Sequence, residues 1–178
     1  MIVVVGESGS GKTTLVNNFI NKHPEWSRIV TYTTRPMRET EIDGIDYYFV
    51  SPDEFNEMVN HNRFIENAEY RGWHYGTPLK DCLQKKKIII LTPSGLRTLK
   101  RLGVKNIISV YLKVDRASRL INLIKRGDNI DEAYRRNLSD AGMFDDVEME
   151  VDFTINNEKY ILNSNEILTR FEKVVMTE

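Results

Sequence analysis

The sequence predicts an α/β fold, a parallel sheet sandwiched between helical layers, interrupted by an inserted mixed segment. Three observations carry that prediction. Apolar, β-rich runs alternate with segments of helical period, the pattern of parallel strands linked by covering helices. The first run, "MIVVV", passes directly into the glycine-rich "GESGSGKTT" and then into a helix-period stripe. Residues 34 to 76 break the alternation, being rich in Tyr, Arg, Glu and Gly, with short extended pieces such as "DYYFV" and "RFIENAEY".

Taken in order, the strands are expected at residues 1–5, 28–33, 87–91, 107–112 and 152–155. Leu15, Val16, Phe19 and Ile20 form the buried stripe of the first helix. At 51–54, "SPDE" places Ser51 as helix cap, Pro52 at the first helical position and Glu54 where a capping box requires it. Phe55, Met58 and Val59 then make the inward face. Thr77-Pro78 and Thr92-Pro93 read as further helix starts. Asn163 with Glu166 opens a last helix with Ile167, Leu168, Phe171, Val174 and Val175 on one side.

At 178 residues the chain suits one domain, able to bury roughly 70% of its unfolded surface. The single cysteine, Cys82, excludes an intramolecular disulfide, and no secretion signal opens the chain. The expected location is the cytoplasm. No apolar run approaches the ~20 residues needed to span a bilayer. With 25 Lys plus Arg against 26 Asp plus Glu, the net charge of -1 offers nucleic acid no long-range attraction.

The stretch from Gly6 through Gly11-Lys12-Thr13 matches a phosphate-binding loop, with a strand before it and a helix after it. Its chemistry requires each part. Gly6, Ser8, Gly9, Ser10 and Gly11 let backbone N–H groups curl around an oxyanion, and the helix N-terminus through Thr14 adds partial positive charge. Lys12 reaches the outer phosphates, and the Thr13 hydroxyl is a candidate Mg2+ ligand. The ligand implied is a nucleoside triphosphate. A guanine-nucleotide switch is disfavoured, since neither Asn-Lys-x-Asp nor Asp-x-x-Gly occurs in the chain.

The inserted region reads "TYTTRPMRETEIDGIDYYFV" at 31–50, followed by "FIENAEYRGWHYGTP" at 64–78, a basic segment near 116–136 and "DFTINN" at 152–157. Together with the phosphate loop, in this order and spacing, these stretches resemble the guanylate kinase family over nearly the whole chain. The resemblance implies a P-loop three-layer sandwich whose parallel core comprises 1–33, 77–115 and 137–178. It also implies a nucleoside-monophosphate-binding insert at 34–76 and a helical lid at 116–136. The implied activity is transfer of the ATP γ-phosphoryl group to GMP, and to dGMP, with Mg2+. The expected assembly is a monomer or small homo-oligomer.

Arg35 and Arg38 lie about 10 Å apart in extended chain at ~3.3 Å per residue, yet forked side chains on a curved loop can converge on one phosphate. Tyr47 and Tyr75 each offer a phenol hydroxyl. By resemblance, these four residues hold the GMP phosphate, and Glu41 orients the arginines. Guanine presents adjacent N–H donors beside an acceptor, so its complement is a carboxylate flanked by hydroxyls. The resemblance assigns Glu66 to that carboxylate and Thr31 and Thr77 to the hydroxyls.

A phosphate acceptor with a second pKa near ~6 is already mostly dianionic, so no general base is needed. Catalysis reduces to positioning and charge neutralisation. Lys12 and Arg35 supply part of it, and Arg126 and Arg136 match the family's lid arginines. Two departures stand out. Thr92 falls where the family usually has an acid, and Asn122 replaces another lid arginine, with Arg119 a candidate substitute about one turn away. A broader-specificity (deoxy)nucleoside monophosphate kinase and a non-catalytic guanylate kinase-like binding module are the competing readings.

Overall fold

The structure, a computed structural model, describes residues 1–39, 41–70 and 72–176. Strand β1 (Ile2–Val5) is fully buried on both faces and sits at the centre of a five-stranded sheet, with order β2-β7-β1-β8-β9. The other strands of that sheet are β2 (Ser27–Arg28), β7 (Lys87–Leu91), β8 (Ile108–Lys113) and β9 (Phe153–Asn156). Every pairing is parallel, Val3 lying level with Ile89 on one side and Ser109 on the other. Continuous β-branched runs are what a strand covered on both faces requires.

The alternation along β1 divides the interior into two cores. Ile2 and Val4 pack with Leu15, Val16 and Phe19 of α1 (Lys12–Lys22) and with Leu168, Phe171 and Val175 of α8 (Ser164–Val175). Val3 and Val5 face Leu96 and Leu99 of α4 (Pro93–Arg101), together with Ile65, Cys82 and Tyr111. Side chains two apart share a face, so one four-residue strand ties both layers together.

A second sheet, order β4-β3-β6-β5, is built from β3 (Tyr32–Thr33), β4 (Tyr48–Phe49), β5 (Phe64–Tyr70) and β6 (Trp73–Pro78). β5 and β6 form an antiparallel hairpin whose register shifts between Phe64 and Glu66. The single strand expected at 28–33 is therefore two short strands in different sheets. Arg28 pairs in register with Ile88 of the parallel sheet, whereas Tyr32 and Thr33 pair with β4 and β6.

Helix α2 (Pro52–Asn60) has the complete capping box at Ser51 and Glu54, and α8 has its counterpart at Asn163 and Glu166. Thr92 caps α4, accepting from the Gly95 N–H at 3.1 Å. Thr77 does not cap a helix. It lies in β6, and the short α3 (Leu79–Cys82) begins after Pro78 without a side-chain cap. The basic segment folds as α5 (Arg116–Lys125) and α6 (Ile130–Ser139), joined through Gly127 at φ 90°. Arg116 of α5 donates to Asn137 of α6 at 2.5 Å, which holds the two together. The short α7 (Val147–Glu150) leads into β9.

Candidate active site

The carboxyl ends of the central strands meet at one edge of the parallel sheet, the place where open α/β sheets bind ligands. Gly6 follows β1 there, and Thr92 follows β7. The Gly6–Gly11 loop turns on Gly9 (φ 82°) and Gly11 (φ 94°). A Cβ at Gly9 would stand 2.6 Å from the Arg119 carbonyl oxygen, so the loop can rest against α5 only without a side chain there.

Two cavities flank this loop. One, about 490 Å3, is lined by Ser8, Gly9, Gly11, Lys12, Thr13 and Thr14 of the loop and α1, and by Asn122, Lys125, Arg126 and Arg136 of α5 and α6. The other, about 310 Å3, is lined by Thr31, Tyr47, Glu66, Tyr75, Thr77 and Thr92, with Asp140, Met143 and Phe144 on the remaining wall. Gly6, Ser8 and Lys12 also line the smaller cavity, so Ser8 and Lys12 belong to both. Ser10 faces neither. It lines a separate recess with Asn18 and Tyr160, and its buried Oγ has no hydrogen-bond partner among the described residues.

In the larger cavity, Lys12 Nζ donates to the Glu7 carbonyl at 2.7 Å. Burial lowers its ammonium to about 8, although Asp140 and Glu7 pull the other way. Arg126 and Arg136 converge on Asp128, Arg126 through a forked pair and Arg136 at 3.6 Å, while Arg136 also donates to Glu132 at 2.7 Å. Arg126 and its neighbours hold the Asp128 carboxyl below its ordinary range. Both arginines therefore carry exchangeable acidic partners at the cavity wall.

In the smaller cavity the Glu66 carboxylate is pushed above its ordinary range by burial, a shift partly offset by hydroxyls of Thr92 and Thr77. Thr92 Oγ1 donates to Glu66 Oε2 at 3.2 Å. The N-terminus of α4 closes over this carboxylate, because a Cβ on Gly95 would fall 2.1 Å from Glu66 Oε2. The rings of Tyr47 and Tyr75 meet edge to face, 6.0 Å between centroids.

Arg35, Arg38 and Glu41 stand beside this cavity rather than in its lining. Arg35 donates to Glu41 Oε1 at 2.6 Å and to the Pro36 carbonyl at 2.7 Å, and its guanidinium lies over Tyr47, 5.5 Å from the ring centroid. The Arg38 N–H donates to Glu41 Oε2 at 2.9 Å. Glu41 thus ties both arginines of this loop, one through its side chain and one through its backbone.

Arg119 does not take the place of the absent lid arginine. Its side chain is buried beneath the loop, donating to the Val114 carbonyl at 3.0 Å and lying 3.4 Å from Glu7 and 3.5 Å from Asp140. Asn122 instead reaches the loop itself, donating to the Gly9 carbonyl at 2.9 Å, and the Tyr160 hydroxyl donates to the same oxygen. Sequence reasoning missed Lys125, Asp140, Tyr160, Glu7 and Gly95 as parts of this region. Asn122 is visible in the sequence only as a departure, and Thr92 only as a cap standing where the family usually has an acid. A full capping motif explains Thr92 without its second partner, and the others sit in no recognisable spacing.

A guanylate kinase family model matches residues 1–175. The chain belongs to the guanylate kinase family. It is 34% identical to a guanylate kinase of Nostoc sp. over 90% of this chain and 83% of that one. It is 36% identical to a guanylate kinase of Thermosynechococcus vestitus over 79% of this chain and 76% of that one. The crystal structure of guanylate kinase from Anaplasma phagocytophilum superimposes with a TM-score of 0.70 at 20% identity, covering 99% of this chain and 84% of that one. That likeness supports the P-loop kinase fold. Among the described residues no helix is long and apolar enough to cross a membrane.

Proposed function

We propose that this guanylate kinase family member transfers the γ-phosphoryl group of ATP to GMP, and to dGMP, giving ADP and the nucleoside diphosphate. The observation that carries this reading is the shared wall. Ser8 and Lys12 line both a cavity rich in loop and cationic groups and a cavity built around a buried carboxylate. A donor triphosphate in the first and an acceptor monophosphate in the second would meet at those two residues, the arrangement in-line transfer needs.

In this reading the loop amides and Lys12 hold the donor phosphates, and Arg126 and Arg136 leave their acidic partners to neutralise charge on the moving group. Glu66, with Thr31 and Thr77, reads guanine, and a site built for that donor pair can reject an analogue lacking it by about 10⁴-fold. Arg35, Arg38, Tyr47 and Tyr75 take the acceptor phosphate. Residues 34–76 serve as the acceptor arm and 116–136 as the lid, with 1–33, 77–115 and 137–178 as core.

Thr13 is exposed at the cavity and is the one side-chain metal ligand we assign. Among the described residues no cluster of three or more His, Cys, Asp or Glu forms a metal cage. That donor set suits Mg2+, which takes few protein ligands and several phosphate oxygens. When bound, the ion would neutralise and orient the donor phosphates.

The test is to incubate the protein with Mg-ATP and each common nucleoside monophosphate separately and to measure the diphosphate formed. A guanine-only response supports this reading. The position of Thr92, a hydroxyl on Glu66 where the family usually has an acid, favours a broader-specificity kinase as the second reading, which a response to several bases would establish. Silence across the panel would favour a binding module.

A further inference from the structure

The phosphate loop already holds a carboxylate. Asp140 Oδ2 accepts the Ser8 N–H at 2.7 Å, the role a phosphate oxygen plays in such loops. The end of its own helix does not favour that position. Asp140 caps the C-terminus of α6, where the helix dipole disfavours negative charge. Its side chain is only 12% exposed, so solvent screens it little. The nearest cationic support is Arg119, whose Nη1 lies 3.5 Å away and is buried without a hydrogen-bond partner among the described residues. Lys12, meanwhile, is turned onto the Glu7 carbonyl.

We propose that Asp140 is an internal stand-in for the terminal phosphoryl group, seated on Ser8 and displaced when the donor nucleotide binds. The proposal rests on the reading of the loop as the donor site. Asp140 lines the smaller cavity, with Ser8 and Lys12, and not the larger one. It therefore stands on the acceptor side of the loop, where the outermost phosphate of ATP would project and where ADP would fall short. Two anions cannot share one amide donor without repulsion. A displacement that shifts the Asp140 backbone also moves the end of α6, because the Asp140 N–H is bonded to the carbonyl of Arg136, a residue of the larger cavity. Asp140 thus lowers donor affinity in the free protein and links its arrival to the position of Arg136.

The test is calorimetric titration of ATP and of ADP, in EDTA and without acceptor, into the parent, Asp140→Asn and Asp140→Ser proteins. Both variants should bind ATP about tenfold more tightly than the parent, with a smaller gain for ADP. A prop that merely shapes the loop would give weaker binding and no dependence on the third phosphate. ATP affinity equal to or below the parent's in both variants overturns the proposal. A parent protein that takes up neither nucleotide overturns the reading of the loop, and the proposal with it. Hydrogen exchange on the parent alone covers the case of a variant that fails to fold. Saturating ATP should speed exchange in residues 139–146, and unchanged exchange there would also overturn the assignment.

Discussion

Lys12 offers the sharpest quantitative check of the donor site. Its ammonium is lowered from 10.5 to about 8 chiefly by burial, a cost on the order of 3 kcal/mol and an upper figure for a side chain at a cavity wall. A triphosphate placed against it supplies the missing counter-charge and returns it to about 10.5 or above. At pH 8.5 the free side chain is then about 24% protonated and the bound one about 99%, so binding takes up roughly 0.75 proton. At pH 7 the uptake falls to about 0.1. The same linkage weakens ATP binding about 27-fold between pH 7 and 9.5. Isothermal titration in buffers of differing ionisation enthalpy reads the proton count directly. Lys12→Arg keeps the charge at every pH and should abolish the uptake. Less than about 0.2 proton at pH 8.5 in the parent, or an equal uptake in Lys12→Arg, would refute the link between burial of Lys12 and the donor phosphates. In the nucleotide-free protein the sign is opposite to that of a stabilised charge: the unfolded chain holds the Lys12 proton to higher pH, so folding stability rises between about 8 and 10.5.

Glu66→Gln should lower GMP efficiency by at least about tenfold while use of AMP changes little, and an unchanged GMP to AMP ratio would reject Glu66 as the base reader. Because burial raises the Glu66 carboxyl and guanine needs the carboxylate, GMP efficiency should fall on the acid side at a pH above the ordinary glutamate range. Thr92→Val, which removes a donor to that carboxylate, should move this limb further up, and Thr92→Ser should restore it. Gly95→Ala drives a methyl into the Glu66 carboxylate and should raise the GMP KM severalfold with the ATP KM unchanged, as steady-state kinetics would show. Arg35→Lys breaks a geometry that an ammonium cannot reproduce and should raise the acceptor KM alone; equal damage to both substrates would indicate misfolding. Phe171→Ala, at the fully buried junction with Phe19, should cost about 3–5 kcal/mol in a denaturant melt.

What was readable in the sequence followed local rules. β1, the loop and the capped starts of α2, α4 and α8 were all visible, because each is encoded within a few residues by apolar period, capping chemistry or glycine spacing. The 28–33 run failed for a nonlocal reason: its β-rich residues satisfy any sheet, and tertiary pairing sends Arg28 and Tyr32 to different ones. Thr77 was misjudged as a cap because Thr-Pro also suits the end of a strand, and its hydroxyl serves Glu66 instead. Arg119 reads in the sequence as a candidate substitute for the absent lid arginine, yet its burial under the loop depends on Glu7 and Asp140, 112 and 21 positions away in opposite directions. Such through-space pairs leave no periodic trace.

The burial of β1 on both faces has a mechanical corollary. A strand clamped by two independent hydrophobic layers cannot shift without loosening both, so the segment it launches starts from a fixed anchorage. Whatever movement a turnover cycle requires must then be borne by the peripheral parts, the α5–α6 pair and the four-stranded sheet, swinging toward a stationary post.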